Sequence, residues 1–256
     1  MGLLTRNVVY RGDPKTSAAN QYGAHIMLHS PGDESSIGRI EYAELFDVGQ
    51  AFQLGRYPIH FHMLGTVTES YVRGNAVHQS YNRGTTLHGV HYLRVLHNVY
   101  YDIMGHTVFV EDAIETKNRV EYNLVVNPKP SFSLLNTDTT PACFWITHPD
   151  NILVGNHAAG SAAYGVWYDL QVHPTGPSAR NDVCPVNAQL GEFRGNVAHS
   201  VAKYGLRIFH GHSPRTYPCR SVSTANPVIT AYYKDFLGYK NGRNGVMGGE
   251  IGAVVF

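Results

Sequence analysis

The chain has 256 residues, of which 43% are hydrophobic and only 15% are charged, and its formal net charge is +1 with histidine neutral. It contains no run of lysine and arginine, so it lacks the basic field that nucleic acids and anionic membranes need in a partner. It also lacks the apolar run of about 18 residues that a transmembrane helix needs, so we expect no membrane insertion by this segment. Abundant glycine, tyrosine and histidine favour an all-β chain with frequent turns.

A repeated spacing of asparagine and glycine organises the chain. Asn75, Asn156 and Asn196 are each followed nine residues later by a glycine that precedes an alternating strand, and Asn98 and Asn123 begin similar units. Successive asparagines are 23, 25, 33 and 40 residues apart. A β-helix coil takes about 20 to 25 residues, and longer steps indicate loops inserted at corners. The sequence therefore predicts a right-handed parallel β-helix, a solenoid with inserted corner loops.

The repeated residues have physical roles at the corners of such a solenoid. Each asparagine can bond the backbone of its own turn, and stacked asparagines can bond one another in a ladder. The glycine permits a tight bend before the next strand. We expect a single β-helix domain, residues 1–256. The apolar segment Ile251–Phe256 would leave a coil uncapped, so we also expect a piece of a larger extracellular protein.

Two long insertions interrupt the predicted stack, at residues 127–141 and 173–189, and a third loop spans residues 211–226. Insertions on a solenoid tend to gather on one face and shape a binding groove. The second and third of these loops carry Cys184 and Cys219. We expect these cysteines to form a disulfide bond if the protein matures in an oxidising compartment.

Side chains alternate along each predicted strand, so one set fills the core and the other faces outward. The inward set is mostly apolar, which supports the register: Ile59 and Phe61, Thr85 and Leu87, Val108 and Val110, Val166 and Tyr168, Leu206 and Ile208. With coils about 4.8 Å apart, the outward side chains form two columns. The first column is His60, Thr86, Phe109, Trp145, Trp167 and Arg207, and the second is His62, His88, Glu111, Thr147 and Asp169.

Aromatic rings beside carboxylates and imidazoles are typical of a sugar-binding surface, because rings stack on sugars and polar groups bond hydroxyls. We interpret four residues of the first column as substrate-binding: Phe109, Trp145, Trp167 and Arg207. The alternative is that a loop or a neighbouring domain covers this sheet, and that the chain is a structural or adhesion module. Solvent access over His62, His88 and Glu111 distinguishes the two.

The histidines and carboxylates of this face favour two kinds of chemistry. His60, His62 and His88 could supply nitrogen ligands to a divalent metal, with Glu111 as a fourth ligand, or they could form a hydrogen-bonded ladder. Glu111 and Asp169 lie about two coils apart, roughly 9 to 10 Å, which is compatible with the acid and base of an inverting glycosidase. A divalent metal is the cofactor that this pattern indicates, and the expected partners are a polysaccharide and neighbouring domains or copies of a larger surface protein.

Several segments resemble the β-helix region of the fibrocystin and cell-surface hyaluronidase family. They are Leu3–Val9, Leu54–Met63, Thr86–His91, Met104–Thr107, Glu111–Thr116, Leu135–Asp138 and His173–Ser178. The resemblance spans nearly the whole chain and is nearest to the fibrocystin-L side. It implies an extracellular or cell-surface location and, from some members, hyaluronan binding or depolymerisation, with calcium dependence for the cell-surface enzyme. Larger members usually carry a G8 domain before the β-helix, and none is visible here, so both an enzyme and a non-catalytic module remain as interpretations.

Overall fold

The computed structural model describes residues 2–30, 33–133 and 136–256, so Leu135, the first residue of one segment named above, lies outside the described residues. The described residues form 24 strands and one short α-helix, Ser17–Asn20. They also form 3-10 helices at Asn136–Thr139, Gly176–Ser178 and Pro185–Asn187. Within these ranges, no helix is long and apolar enough to cross a membrane.

The strands are numbered in chain order. Strands β1 to β12 are Val8–Arg11, Ile26–His29, Arg39–Glu41, Ala43–Val48, Ile59–Thr66, Tyr71–Arg73, Ala76–Ser80, Thr85–His91, Arg94–Leu96, Val99–Tyr101, Val108–Val110 and Arg119–Glu121. Strands β13 to β24 are Leu124–Val126, Ala142–Ile146, Ile152–Val154, His157–Ala159, Tyr164–Tyr168, Glu192–Arg194, Val197–His199, Tyr204–Ile208, Ala231–Lys234, Leu237–Tyr239, Val246–Gly248 and Val254–Val255.

Three sheets of eight strands each enclose the core. The first sheet has the order β1-β4-β7-β10-β13-β16-β19-β22, the second β2-β5-β8-β11-β14-β17-β20-β23, and the third β3-β6-β9-β12-β15-β18-β21-β24. Consecutive strands visit the three sheets in turn, and all the strand pairs run parallel. Each circuit is one coil of a parallel β-helix, which confirms the predicted fold class.

Buried asparagines form one corner of the middle coils, between the third sheet and the first. Each follows a residue with positive φ, such as His97 (54°) before Asn98 and Tyr122 (55°) before Asn123. The Asn98 side-chain amide and the Asn98 backbone N–H both donate to Asn123 Oδ1, each at 3.0 Å. The same two bonds join all neighbours in the series Asn75, Asn98, Asn123, Asn156 and Asn196. The predicted corner positions and the ladder are therefore confirmed.

The glycines of the repeat serve a different purpose from the bend that we expected. Gly165 lies inside β17 and Gly205 lies inside β20. A methyl group on Gly165 would come within 2.5 Å of the Gly205 carbonyl oxygen on the next coil. Any side chain here would push the coils apart, so glycine is needed for close approach of backbones rather than for a turn.

The inward register is confirmed by packing, since the apolar members of the predicted inward set belong to the main core cluster, whereas Phe109, Trp145 and Trp167 of the outward set form a separate cluster. Cys184 and Cys219 form the expected disulfide bond, which ties the second long insertion to the third loop. An unpredicted second ladder stands at another corner, where the Asn118 amide donates to Asn151 Oδ1 at 3.0 Å. Buried side-chain amides therefore hold two corners of the solenoid.

Replacing Asn123 with Ala is expected to destabilise the protein strongly. The change removes the acceptor for two donors of Asn98 and leaves the Val95 carbonyl without the amide that now bonds it at 2.9 Å. Buried polar groups that lose their partners cost about 1–3 kcal/mol each, so we expect a loss of roughly 3 kcal/mol in urea unfolding. The control is Asn181→Ala on the surface, which should change stability by less than about 0.5 kcal/mol. Equal effects from the two substitutions would contradict a stabilising ladder.

Candidate functional site

The outer face of the second sheet carries the predicted columns in the predicted register. His60 pairs with Thr86, and Thr86 pairs with Phe109 on the next strand. The same column continues through Trp145, Trp167 and Arg207. In the second column, His62 pairs with His88. Parallel stacking without register shifts between these residues brings side chains from separate coils side by side.

The aromatic part of this face is closed. Trp145 and Trp167 are only 4% and 6% exposed, and Phe109 is equally buried. The two indole rings lie 4.4 Å apart, and the Arg207 guanidinium lies 4.1 Å from the Trp167 ring. Both indole N–H groups are buried without a hydrogen-bond acceptor. These rings form a small apolar cluster, so a sugar has no open ring face to stack on.

Arg83 is a fully buried cation that the sequence analysis did not identify. It directly precedes Gly84, one of the glycines of the repeat. Its guanidinium donates to Asp138 at 2.8 and 3.1 Å and lies 3.9 Å over the Phe109 ring. Burial opposes ionisation of Asp138, but His106 and Arg83 hold the pKa of this carboxyl below its usual value. Asp138 belongs to the first insertion, so this ion pair fastens that insertion over the sheet.

His60, His62 and His88, here called the histidine cluster, present ligand nitrogens that all lie within 4.8 Å of one another. His60 donates from Nδ1 to the Gly55 carbonyl at 2.9 Å, and no residue within the described ranges forms a hydrogen bond with its buried Nε2. Burial lowers the pKa of His60 to about 3 and also lowers the pKa of His62. Both imidazoles are therefore neutral at pH 7, and these three residues could hold a metal ion.

Carboxylates flank the third member of the cluster. His88 Nε2 lies 2.8 Å from Asp112 Oδ2, and His88 Nδ1 lies 3.4 Å from Glu111 Oε2. Burial disfavours the charged form of His88, but Asp112 and Glu111 raise its pKa overall. Burial raises the pKa of Glu111 despite the opposing effects of His88 and Arg83. The result is a carboxyl group that holds its proton more readily than an exposed glutamate.

Asp112 also anchors the loop of residues 173–189, here called the crossing loop. Its side-chain Oδ2 accepts the Ser178 backbone N–H at 3.3 Å, and its carbonyl accepts the Thr175 N–H at 2.9 Å. The buried carboxylate of Glu115 accepts the backbone N–H groups of Gly89 and Asp112 at 2.8 and 3.1 Å. Burial raises the pKa of Glu115 to about 7 against these bonds. Glu115 thus holds the turn that carries Glu111 and Asp112 on one side, and the crossing loop holds it on the other.

Three adjoining cavities run beside the crossing loop. The first, here called the histidine cavity, has a volume of about 600 Å³ and is lined by the histidine cluster, Glu111, Arg56 and Pro177. The middle cavity, of about 370 Å³, shares Pro177 with the first. The third, of about 870 Å³ beside the disulfide bond, shares Ile114 and Arg180 with the middle cavity. The shared lining residues place these cavities side by side along the crossing loop, and together they are here called the groove.

Glu111 and Asp169 follow β11 and β17, which lie two coils apart as predicted, but the two carboxylates have different surroundings. Asp169 does not line the histidine cavity; its carboxylate lies 3.3 Å from His210 Nδ1 and accepts a 2.8 Å hydrogen bond from Gln171. Burial raises the pKa of Asp169. Thr147 lies on the coil between Asp169 and Glu111, and its hydroxyl bonds the Val110 carbonyl at 3.0 Å. Of the predicted site residues, the cavity collects the histidine cluster and Glu111, and leaves out Asp169 and the first-column residues after His60.

Calcium, the ion that the resemblance implies, does not fit the histidine cluster. Calcium takes six to eight oxygen ligands, whereas the cluster offers imidazole nitrogens and two adjacent carboxyl groups, Glu111 and Asp112. Borderline-soft ions such as zinc accept this donor set.

Fold and site together define a parallel β-helix with a lateral groove that contains imidazoles and a carboxyl group. The model of the CEMIP beta-helix family matches residues 21–206, so the chain belongs to that family. It is 49% identical to fibrocystin-L of Mus musculus over 86% of this chain and 6% of that protein. It is 35% identical to the cell surface hyaluronidase CEMIP2 of Homo sapiens over 98% of this chain and 22% of that protein. The chain therefore spans a small part of the curated relatives that it matches.

The buried His148, at the wall of the third cavity, makes stability depend on pH. Its Nδ1 accepts the Asp150 backbone N–H at 3.1 Å, and burial lowers its pKa from 6.5 to about 3. Below pH 6.5 His148 binds a proton in the unfolded chain, whereas in the folded chain it stays neutral down to about pH 3. The free energy of unfolding therefore decreases as the pH falls through this window. The loss should be roughly 1 kcal/mol per pH unit across that window.

His148→Asn keeps an acceptor near Nδ1 and removes the titration. We expect urea unfolding of this variant to lose less stability than the parent between pH 6.5 and 4.5, by roughly 2 kcal/mol. His97→Asn, at an exposed position, serves as the control and should follow the parent. Parallel pH profiles for the parent and both variants would show that His148 does not contribute.

Proposed function

We propose that this β-helix binds a glycosaminoglycan-like polysaccharide in the groove beside the crossing loop and cleaves it next to Glu111. The observation that carries the proposal is the histidine cavity, where three imidazoles and a buried carboxyl group face a space of about 600 Å³. Sites of this size with a few convergent polar groups are typical of ligand binding. Two relatives are named as cell surface hyaluronidases, which supports a polysaccharide as the ligand.

The shape of the groove favours a polymer over a small sugar. The histidine cavity adjoins the middle cavity at Pro177, and the middle cavity adjoins the third at Arg180. A linear chain could occupy all three, with its cleavage point at the histidine end. Arg56 lines that end, and Lys117 and Arg220 line the other, so basic side chains are available along the path to sugar carboxylates.

Glu111 is assigned as the proton donor. Burial raises the pKa of its carboxyl group, and a protonated carboxyl group in the cavity can donate to a glycosidic oxygen. The histidine cluster would bind sugar hydroxyls around it. Asp169 is left out of the reaction because its carboxylate faces His210 and Gln171 outside the groove.

We further propose that the chain is one β-helix domain of a larger protein at the cell surface. The disulfide bond between Cys184 and Cys219 supports an oxidising compartment. The much greater length of fibrocystin-L supports neighbouring domains as partners.

The second candidate is a non-catalytic structural or adhesion module. The closed aromatic column favours it, because Trp145 and Trp167 are packed against Arg207 and neighbouring rings as a core would be. In this case the protein would bind none of the polysaccharides tested, and substitutions in the groove would leave its stability and its protein contacts unchanged.

Glu111→Gln separates binding from cleavage. The carboxamide of this variant cannot donate an acidic proton, so cleavage of fluorescent hyaluronan should fall by about 10²–10⁴-fold, while affinity for hyaluronan oligosaccharides stays within a few-fold. Gel electrophoresis of the polymer and calorimetric titration measure the two properties. Chondroitin sulfate, heparan sulfate and neutral dextran serve as comparison ligands. Absence of binding to all of these polymers by the parent protein would refute the proposal.

Ala179→Trp tests the path of the polymer. Ala179 lines the middle cavity, and an indole there would fill much of its roughly 370 Å³. We expect affinity for long hyaluronan to fall about tenfold or more, with a smaller loss for a short oligosaccharide that occupies only the histidine cavity. The matched control is Ala162→Trp at an exposed position outside the three cavities. Equal losses for both variants would mean that the polymer does not follow the groove.

A further inference from the structure

We propose that the histidine cluster is a three-ligand binding site for a zinc-like transition-metal ion, with its fourth position open on the side of Glu111. Three imidazoles from neighbouring strands place ligand nitrogens within 4.8 Å of one another at the floor of the histidine cavity. Zinc held at about 2.0–2.1 Å from each nitrogen separates them by roughly 3.4 Å, which small rotations of the rings can achieve.

Hydrogen bonds at two of the three imidazoles already set the tautomers that a metal requires, whereas His62 Nδ1 pairs with His29 Nδ1 at 2.8 Å. The Gly55 carbonyl can only accept, so His60 carries its proton on Nδ1 and keeps a lone pair on Nε2. That Nε2 belongs to a side chain only 2% exposed and has no hydrogen-bond partner among the residues that the structure describes. A buried nitrogen lone pair without a partner is costly, and a metal ion would satisfy it.

His88 shows the same arrangement with the opposite nitrogen. Its Nε2 lies 2.8 Å from Asp112 Oδ2, which accepts the proton and leaves the Nδ1 lone pair free on the side of Glu111. Metal-bound histidines usually donate their second N–H to a carboxylate or a carbonyl group, which fixes the ring and strengthens the ligand. Asp112 and the Gly55 carbonyl are therefore positioning groups, one behind each of two ligands.

Glu111 lies beside the open fourth position and keeps its proton for donation. Its Oε2 faces His88 Nδ1 at 3.4 Å, and no residue that the structure describes forms a hydrogen bond with this buried oxygen. Three imidazole nitrogens with an open position match zinc or cobalt and are a poor set for calcium. The proposal does not depend on the polysaccharide, because metal binding can be measured in its absence.

The experiment measures metal content of the purified protein after dialysis against Zn²⁺, Co²⁺ or Ca²⁺, using mass spectrometry and, for Co²⁺, visible absorption. We expect one zinc or one cobalt ion per chain, a tetrahedral cobalt spectrum, and no retained calcium. His62→Ala should lose the ion, and His157→Ala, a histidine on the first sheet, should retain it. Equal metal content in these two variants, or retention of calcium alone, would overturn the site.

Asp112→Asn provides a test that does not remove a ligand. The carboxamide oxygen can still accept a hydrogen bond from His88 Nε2 but is a weaker acceptor than a carboxylate. Zinc affinity should therefore fall about 10–100-fold. Circular dichroism tests whether each variant is folded. If His62→Ala does not fold, the zinc affinity of Asp112→Asn decides whether the site exists. Unchanged affinity in Asp112→Asn overturns the assignment of Asp112 as a positioning residue and of His88 as a ligand. Polysaccharide binding without zinc binding would overturn this inference and leave the proposed function standing.

Discussion

The fold depends on buried asparagine amides that fix how one coil stacks on the next. From Asn98 to Asn196, each amide oxygen in the ladder accepts two N–H groups from the asparagine of the preceding coil. A coil displaced along the strand direction would therefore break several buried hydrogen bonds at once. A slip of one residue would also turn the core side chains outward. The register fixed at this corner is therefore what places His62 opposite His88 on the second sheet.

Much of the fold was predictable because its determinants repeat along the chain. The asparagine spacing gave the corners, and strand alternation gave the core and both outward columns. The glycines were misinterpreted because sequence alone does not distinguish a bend from a close approach; Gly165 lies opposite the Gly205 carbonyl. The positive φ before each asparagine was missed, although glycine occupies three of these five positions, Gly74, Gly155 and Gly195; His97 and Tyr122 at the other two hide the pattern.

The site was less predictable because its shape comes from the insertions. Arg83 reaches Asp138 from 55 positions away in the chain, and the crossing loop reaches Asp112 from more than 60. No repeat encodes such contacts. These contacts determine which part of the outer face a ligand can reach. The aromatic column is buried, and a cavity remains over the histidine cluster. Residue types predicted which side chains share the face, whereas tertiary contacts decide which of them a ligand can reach.

Asp112 links the chemistry of the cavity to its shape. One carboxylate oxygen both faces His88 Nε2 and accepts the Ser178 backbone N–H from the crossing loop. The orientation of the imidazole and the position of the loop beside the cavity therefore share one acceptor, and a change at either partner acts on the other. Glu115 holds the same turn from the core side through the Asp112 backbone N–H. One turn between two coils thus holds Glu111, Asp112 and the wall of the histidine cavity in a single unit.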